Sequence, residues 1–161
     1  MARRTITELT RSSTAQRLKI DNDPTDSEIV RNLVRLIDAF DLVERVLGRC
    51  TINSGYRSIR LNHEVGGSEP PKRSLSYHCF GLAVDFDPPT AMTHDRAQWL
   101  LENTAIPFDL LMEEGTAKPE SEGGSRWLHL QIAKMGSEPR YMVRDATVDR
   151  LGGTITRVTK G

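Results

Sequence analysis

Apolar residues along this chain fall into blocks with two different periods. From Ile29 they recur at Leu33, Leu36, Ile37, Phe40, Val43, Val46 and Leu47, a spacing of three to four that predicts one long amphipathic helix. Thr25-Asp26-Ser27-Glu28, just before it, has the T-x-x-E form of a capping box, and Gly48 is placed to end it. The weakest propensity lies between Asp38 and Asp41, where a break is expected. Shorter runs read as strands at residues 50–54, 81–87, 108–112 and 127–133, with one more at 155–158. Pro88-Pro89 forces the second of these to stop. Short helices are expected over residues 59–65, closed by Gly66-Gly67, and 93–103, where Ala97, Leu100 and Leu101 form the apolar stripe and Trp99 is read as core packing. The segment 68–74, with Pro70-Pro71, is an exposed loop. Residues 1–22 are polar and aperiodic and are expected as a loosely attached arm; residues 23–161 make one domain. The sum is an α+β fold, a small antiparallel sheet with helices on one face.

Composition narrows the functional classes. The 161 residues hold 22 Lys+Arg and 22 Asp+Glu, so no net positive field exists to recruit nucleic acid, and no nucleic-acid partner is expected. No apolar stretch approaches the ~20 residues that span a bilayer, so no membrane insertion is expected. Met1-Ala2-Arg3-Arg4 lacks the apolar core of a signal peptide. Cys50 and Cys79 are the only cysteines and read as buried free thiols.

The chemistry concentrates on a few histidines. Of His63, His78, His94 and His129, two lie on patterned elements. His78 precedes Gly81 and the strand that carries Asp85; His129 alternates with Leu128 and Leu130, which places it on the face opposite them, toward a cleft. Two imidazoles and one carboxylate suit Zn²⁺, with a position left for water. A carboxylate must then take the proton of that water, a role that Glu113 or Glu114 can fill, and a cation must meet the developing oxyanion, which Arg57 can do. His63 and His94 read as surface residues, Asp87 as a turn acid, and Glu120 and Glu122 as a solvated acidic loop.

Together, Ser54-Gly55-Tyr56-Arg57-Ser58, then Ser76-Tyr77-His78, Gly81, Ala83 and Asp85, and finally Trp127-Leu128-His129 resemble the zinc D-Ala-D-Ala metallopeptidase family, with its S-G-Y-R-S, S-x-H-x-x-G-x-A-x-D and W-x-H phrases in order over about half the chain. The resemblance implies a Hedgehog/D-Ala-D-Ala peptidase-like fold and hydrolysis of bonds next to D-alanine in peptidoglycan stem peptides. It implies zinc on His78, Asp85 and His129, substrate and transition-state contact by Arg57, and a place for Ser76 at the border of the substrate site. Phe108-Asp109-Leu110-Leu111 matches the F-D-x-L phrase of small phage or prophage members. One departure is clear: many members carry the catalytic glutamate three residues before the last histidine, where this chain has Arg126. Other branches take it from the end of the preceding strand, which favours Glu114 over Glu113. Without either carboxylate at the metal, the same fold would be a non-catalytic peptidoglycan-binding or structural module of a phage particle. The expectation for location is synthesis in the cytoplasm with action on the wall after release, or carriage on a virion.

Overall fold

The structure, a computed structural model, describes residues 2–115, 124–145 and 155–157. The acidic loop with Glu120 and Glu122 lies outside them. Residues 1–22 depart from the expected loose arm. They contain two short helices, α1 (Ile6–Thr10) and α2 (Ser13–Leu18), and Leu9 of α1 is fully buried in the main core. Arg4 pins this segment from the other side, through ion pairs to Glu8 and to the buried Glu44, each under 3 Å. The capping box is found here, between Thr5 and Glu8.

The long helix forms as α3 (Ser27–Leu47) and runs unbroken through Asp41. Phe40 and Val43, on either side of that residue, are both fully buried, so tertiary packing overrides weak local propensity. Its N-cap is Asp26, not Thr25, and Gly48 closes it at φ 94°, a conformation that favours glycine. Then follow β1 (Thr51–Ser54), α4 (Ile59–Glu64), a single 3₁₀ turn (Tyr77–Phe80), β2 (Ala83–Asp87), α5 (His94–Glu102), β3 (Leu110–Gly115), β4 (Arg126–Gln131), β5 (Met142–Asp145) and β6 (Ile155–Arg157).

The strands form one sheet in the order β1-β2-β4-β3-β5-β6. Every pair is antiparallel except β3–β5, so the α+β fold stands and its sheet is mixed. One face carries Val84, Phe86, Leu111, Leu128 and Leu130, which pack with Leu33, Leu36 and Phe40 of α3 and with Ala97 and Leu101 of α5 in one core. Apolar burial on this face supplies most of the driving force, at roughly 25 cal/mol per Å² removed from water. The opposite face is left for chemistry. Trp99 is a correction: it is about half exposed on α5 and stacks against the Arg96 guanidinium, 4.8 Å from the ring centre, instead of entering the core. Cys50 and Cys79 are buried and free, as expected.

Candidate metal centre and active site

Residues directly opposed in an antiparallel ladder share a face, so the register decides which side chains meet. Asp85 on β2 is paired with His129 on β4, and His129 with Met112 on β3. On the outer side a register shift in β1 puts Ser54 opposite Asp85. Two residues along the same face, Glu114 on β3 is paired with Trp127 on β4. Ser54, Asp85, His129, Glu114 and Trp127 therefore line one side of the sheet, away from the helices.

His78 arrives from outside the sheet, on the 3₁₀ turn. The hydroxyl of Ser76 caps that turn by accepting from the His78 backbone N–H, and Gly81 leaves it in the left-handed conformation. The turn is tied twice to the segment after β1: His78 Nδ1 donates to the carbonyl of Gly55 at 2.7 Å, and the Arg57 backbone N–H donates to the carbonyl of His78 at 3.2 Å. A carbonyl only accepts, so Nδ1 carries the proton and Nε2 keeps its lone pair. That is the second-sphere arrangement expected of a metal-binding imidazole. Gly55 is itself fixed by the N-terminal segment. A Cβ at this position would lie 2.2 Å from the carbonyl oxygen of Leu9, and the next N–H, of Tyr56, donates to that same oxygen.

His78, Asp85 and His129, all buried, offer ligand atoms within 4.8 Å of one another. His129 Nδ1 is 2.8 Å from Asp85 Oδ1, and His78 Nε2 is 3.3 Å from Asp85 Oδ2. Burial pushes the His78 imidazole below its usual range, partly offset by the charge of Asp85. Burial opposes protonation of His129 too, but the hydrogen bond and charge of Asp85 outweigh it and hold this imidazole above its ordinary value. Asp85 is held well below the usual carboxylate range by the two histidines, against the cost of its burial. Arg57 donates from Nη2 to Asp85 Oδ2 and from Nε to the Ser54 hydroxyl, both at 2.8 Å. Two nitrogen donors and one carboxylate within this distance fit a zinc ion.

The two glutamates go to opposite faces. Glu114 accepts a hydrogen bond from the Trp127 indole N–H at 2.9 Å, and its charge contributes to raising His129. Glu113 is buried on the helix side, where it pairs with Arg126, which also reaches Asp95 on α5. Burial pushes the Glu113 carboxyl up to about 7, with Asp95 adding to the effect and Arg126 opposing it. Arg126, three residues before His129, thus points away from the metal ligands. The Trp127–Glu114 contact is a feature that sequence reasoning missed, although equal parity on paired strands was a signal for it. Among the other histidines, His63 is exposed beside Glu69 and His94 Nε2 meets Asp87, which Asn53 also contacts.

A profile of the Peptidase M15 family matches residues 2–113. The match takes in the N-terminal helices, the Gly55–Arg57 turn, His78 and Asp85, and ends just before Glu114. No curated protein matches the chain. With well over half of its length aligned to the family, and two histidines and an aspartate brought together on one face of the sheet, the chain belongs to the Peptidase M15 family.

Proposed function

We propose that this metallopeptidase hydrolyses peptide bonds next to D-alanine in peptidoglycan stem peptides, as a wall-degrading protein of a phage or prophage. The observation that carries the reading is the meeting of His78, Asp85 and His129 with Glu114 on the same sheet face. His78 through Nε2, His129 through Nδ1 and Asp85 through its carboxylate would hold zinc. When bound, zinc polarises a peptide carbonyl and makes water acidic near neutral pH.

The chain's own residues supply the rest. Trp127 occupies Oε2 of Glu114, which leaves Oε1 to take a proton from water and return it to the departing amine. Arg57, aligned by Ser54, brings a fixed positive charge to the place where negative charge develops on the substrate oxygen. Ser76 shapes the turn that carries His78, and its proposed contact is with the substrate backbone. The phage-type reading is supported by Phe108-Asp109-Leu110-Leu111, whose Asp109 binds Arg140 and Gln131 and so fixes the start of β3, the strand that carries Glu114.

The test is mass spectrometry of purified peptidoglycan after incubation with the zinc-loaded protein. Release of D-alanine or of new amino termini next to it is expected, and the fragment masses identify the bond. Intact wall peptides after prolonged incubation would leave a binding module as the function.

A further inference from the structure

Beside the metal centre runs a cleft of which the proposed catalytic steps use only Arg57 and its partner Ser54. It lies between the α1–α2 segment and β1, has a volume of about 630 Å³, and is lined by Arg4, Arg11, Arg49 and Arg57 against a single acid, Glu8. That volume falls within the ~300–1,000 Å³ usual for ligand sites. Two features define what it can hold. Among the described residues β1 is the edge strand of the sheet, so an extended chain can lie along it and hydrogen-bond to its backbone. The charge is also unbalanced. Arg4 and Arg49 are paired with Glu8 and the buried Glu44, and Arg57 with Asp85. Arg11 has no ion pair or hydrogen bond among the described residues, is exposed, and leaves one positive charge unmatched at the cleft wall, flanked by the hydroxyls of Ser13 and Thr14. Arg57 and Ser54 line the cleft as well as the metal side, so the two spaces adjoin.

We infer that this cleft is a subsite for an extended, carboxylate-bearing stretch of the peptide substrate, away from the bond that is cut, and that Arg11 selects for the carboxylate. The inference rests on the peptidase reading above, which it refines. The peptide backbone adds to the free edge of β1, and Arg11 supplies the charge-assisted contact that an amidated peptide cannot make. Because the contact is solvent-exposed, its effect is modest, about fivefold in affinity.

The probes are two fluorescein-labelled pentapeptides, L-Ala-D-isoglutamate-L-Lys-D-Ala-D-Ala and its D-isoglutamine form, which differ by one carboxylate. Binding is followed by fluorescence anisotropy on the metal-free protein, residues 1–161, so that cleavage does not intervene. The wild type is expected to bind the acidic peptide about fivefold more tightly than the amide. Arg11→Ala should erase that difference while leaving the amide's Kd unchanged, and Arg11→Lys should restore part of it. Equal binding of both peptides by the wild type, absence of binding, or equal weakening of both by Arg11→Ala would overturn the subsite. Failure of the peptidase reading shows separately, as no cleavage of either peptide by the zinc-loaded wild type.

Discussion

Trp127 and Glu114 are joined across the β3–β4 pair by an indole N–H that donates to Oε2 at 2.9 Å. The bond fixes which oxygen of the carboxylate is free, and it does so from a residue two positions before a proposed metal ligand. Trp127→Phe keeps the ring and removes the donor. It should lower kcat by roughly ten- to a hundredfold with KM nearly unchanged, in line with the ~1.5–3 kcal/mol of a hydrogen bond to a charged group that acts mainly in the transition state. Zinc content measured by atomic absorption should stay at wild-type level. A rise in KM with kcat intact would assign Trp127 to substrate binding instead.

The two adjacent glutamates should behave in opposite ways. Glu114→Gln is expected to retain zinc and lose activity by about a hundredfold or more. Glu113→Gln should remain active, because its side chain lies across the sheet from the ligands. Its signature is in stability. Burial raises the folded-state pKa of Glu113 to about 7 from the ordinary glutamate value of 4.5. Between those values the unfolded chain ionises first and the folded protein holds the extra proton, so this group costs stability as pH rises from about 4.5 to 7. Thermal melts of the wild type should show that loss across the window, and Glu113→Gln should flatten it and gain roughly 1–2 kcal/mol at pH 8. Loss of activity in Glu113→Gln with full activity in Glu114→Gln would reverse the assignment.

The same pair marks where sequence reading reached its limit. Periodicity is enough to place α3, because a stripe of eight apolar residues has few alternative explanations, and the phrases around His78, Asp85 and His129 are legible because their spacing is tied to a turn and two strands. Alternation says only that Glu113 and Glu114 point to opposite sides. Which side holds the metal depends on register with β4, a long-range property absent from the local pattern. The parallel strand β5 is four residues long, too short to carry a period. The N-terminal segment was harder still: within α1 only Ile6 and Leu9 turn toward the main core, and Ala15, Leu18 and Ile20 go to a separate small cluster with Leu61, so no helical window detects a stripe, yet Thr5-x-x-Glu8 was a capping box in plain view. Packing of Leu9 turns that segment into part of the site's support.

This support predicts a cost for the smallest change in the S-G-Y-R-S turn. Gly55→Ala would put a methyl group 2.2 Å from a backbone oxygen of Leu9, which cannot rotate away as a side chain would. We expect destabilisation of roughly 1–3 kcal/mol. The carbonyl of Gly55 also orients His78, so zinc affinity should weaken with it. Thermal unfolding with and without zinc checks both effects. A variant with unchanged melting temperature would mean that the N-terminal segment moves aside freely and does not brace the turn.

Zinc binding should itself depend on pH in a direction set by Asp85. With no metal ion, His129 Nδ1 donates to Asp85, and that carboxylate holds the imidazole above its ordinary pKa. The nitrogen facing the site must lose its proton before it can serve as a ligand, whereas His78, pushed down by burial, already presents a lone pair at Nε2. One proton is therefore displaced for each metal bound in the range where His129 is charged. Affinity there should rise about tenfold per pH unit, since a unit of pH is worth about 1.36 kcal/mol per proton. Competition with a chromophoric chelator at pH 6, 7 and 8 measures the slope. Saturating zinc should at the same time raise the unfolding free energy, by about 4 kcal/mol at a thousandfold excess over Kd. Asp85→Asn removes the charge that sustains the proton and one ligand together, so it should flatten the pH slope and abolish most of the stabilisation. If the wild-type slope were flat while zinc still bound, the proton on His129 would not be in competition with the metal, and Asp85 would have to act on that imidazole in some way other than the bond between Oδ1 and Nδ1.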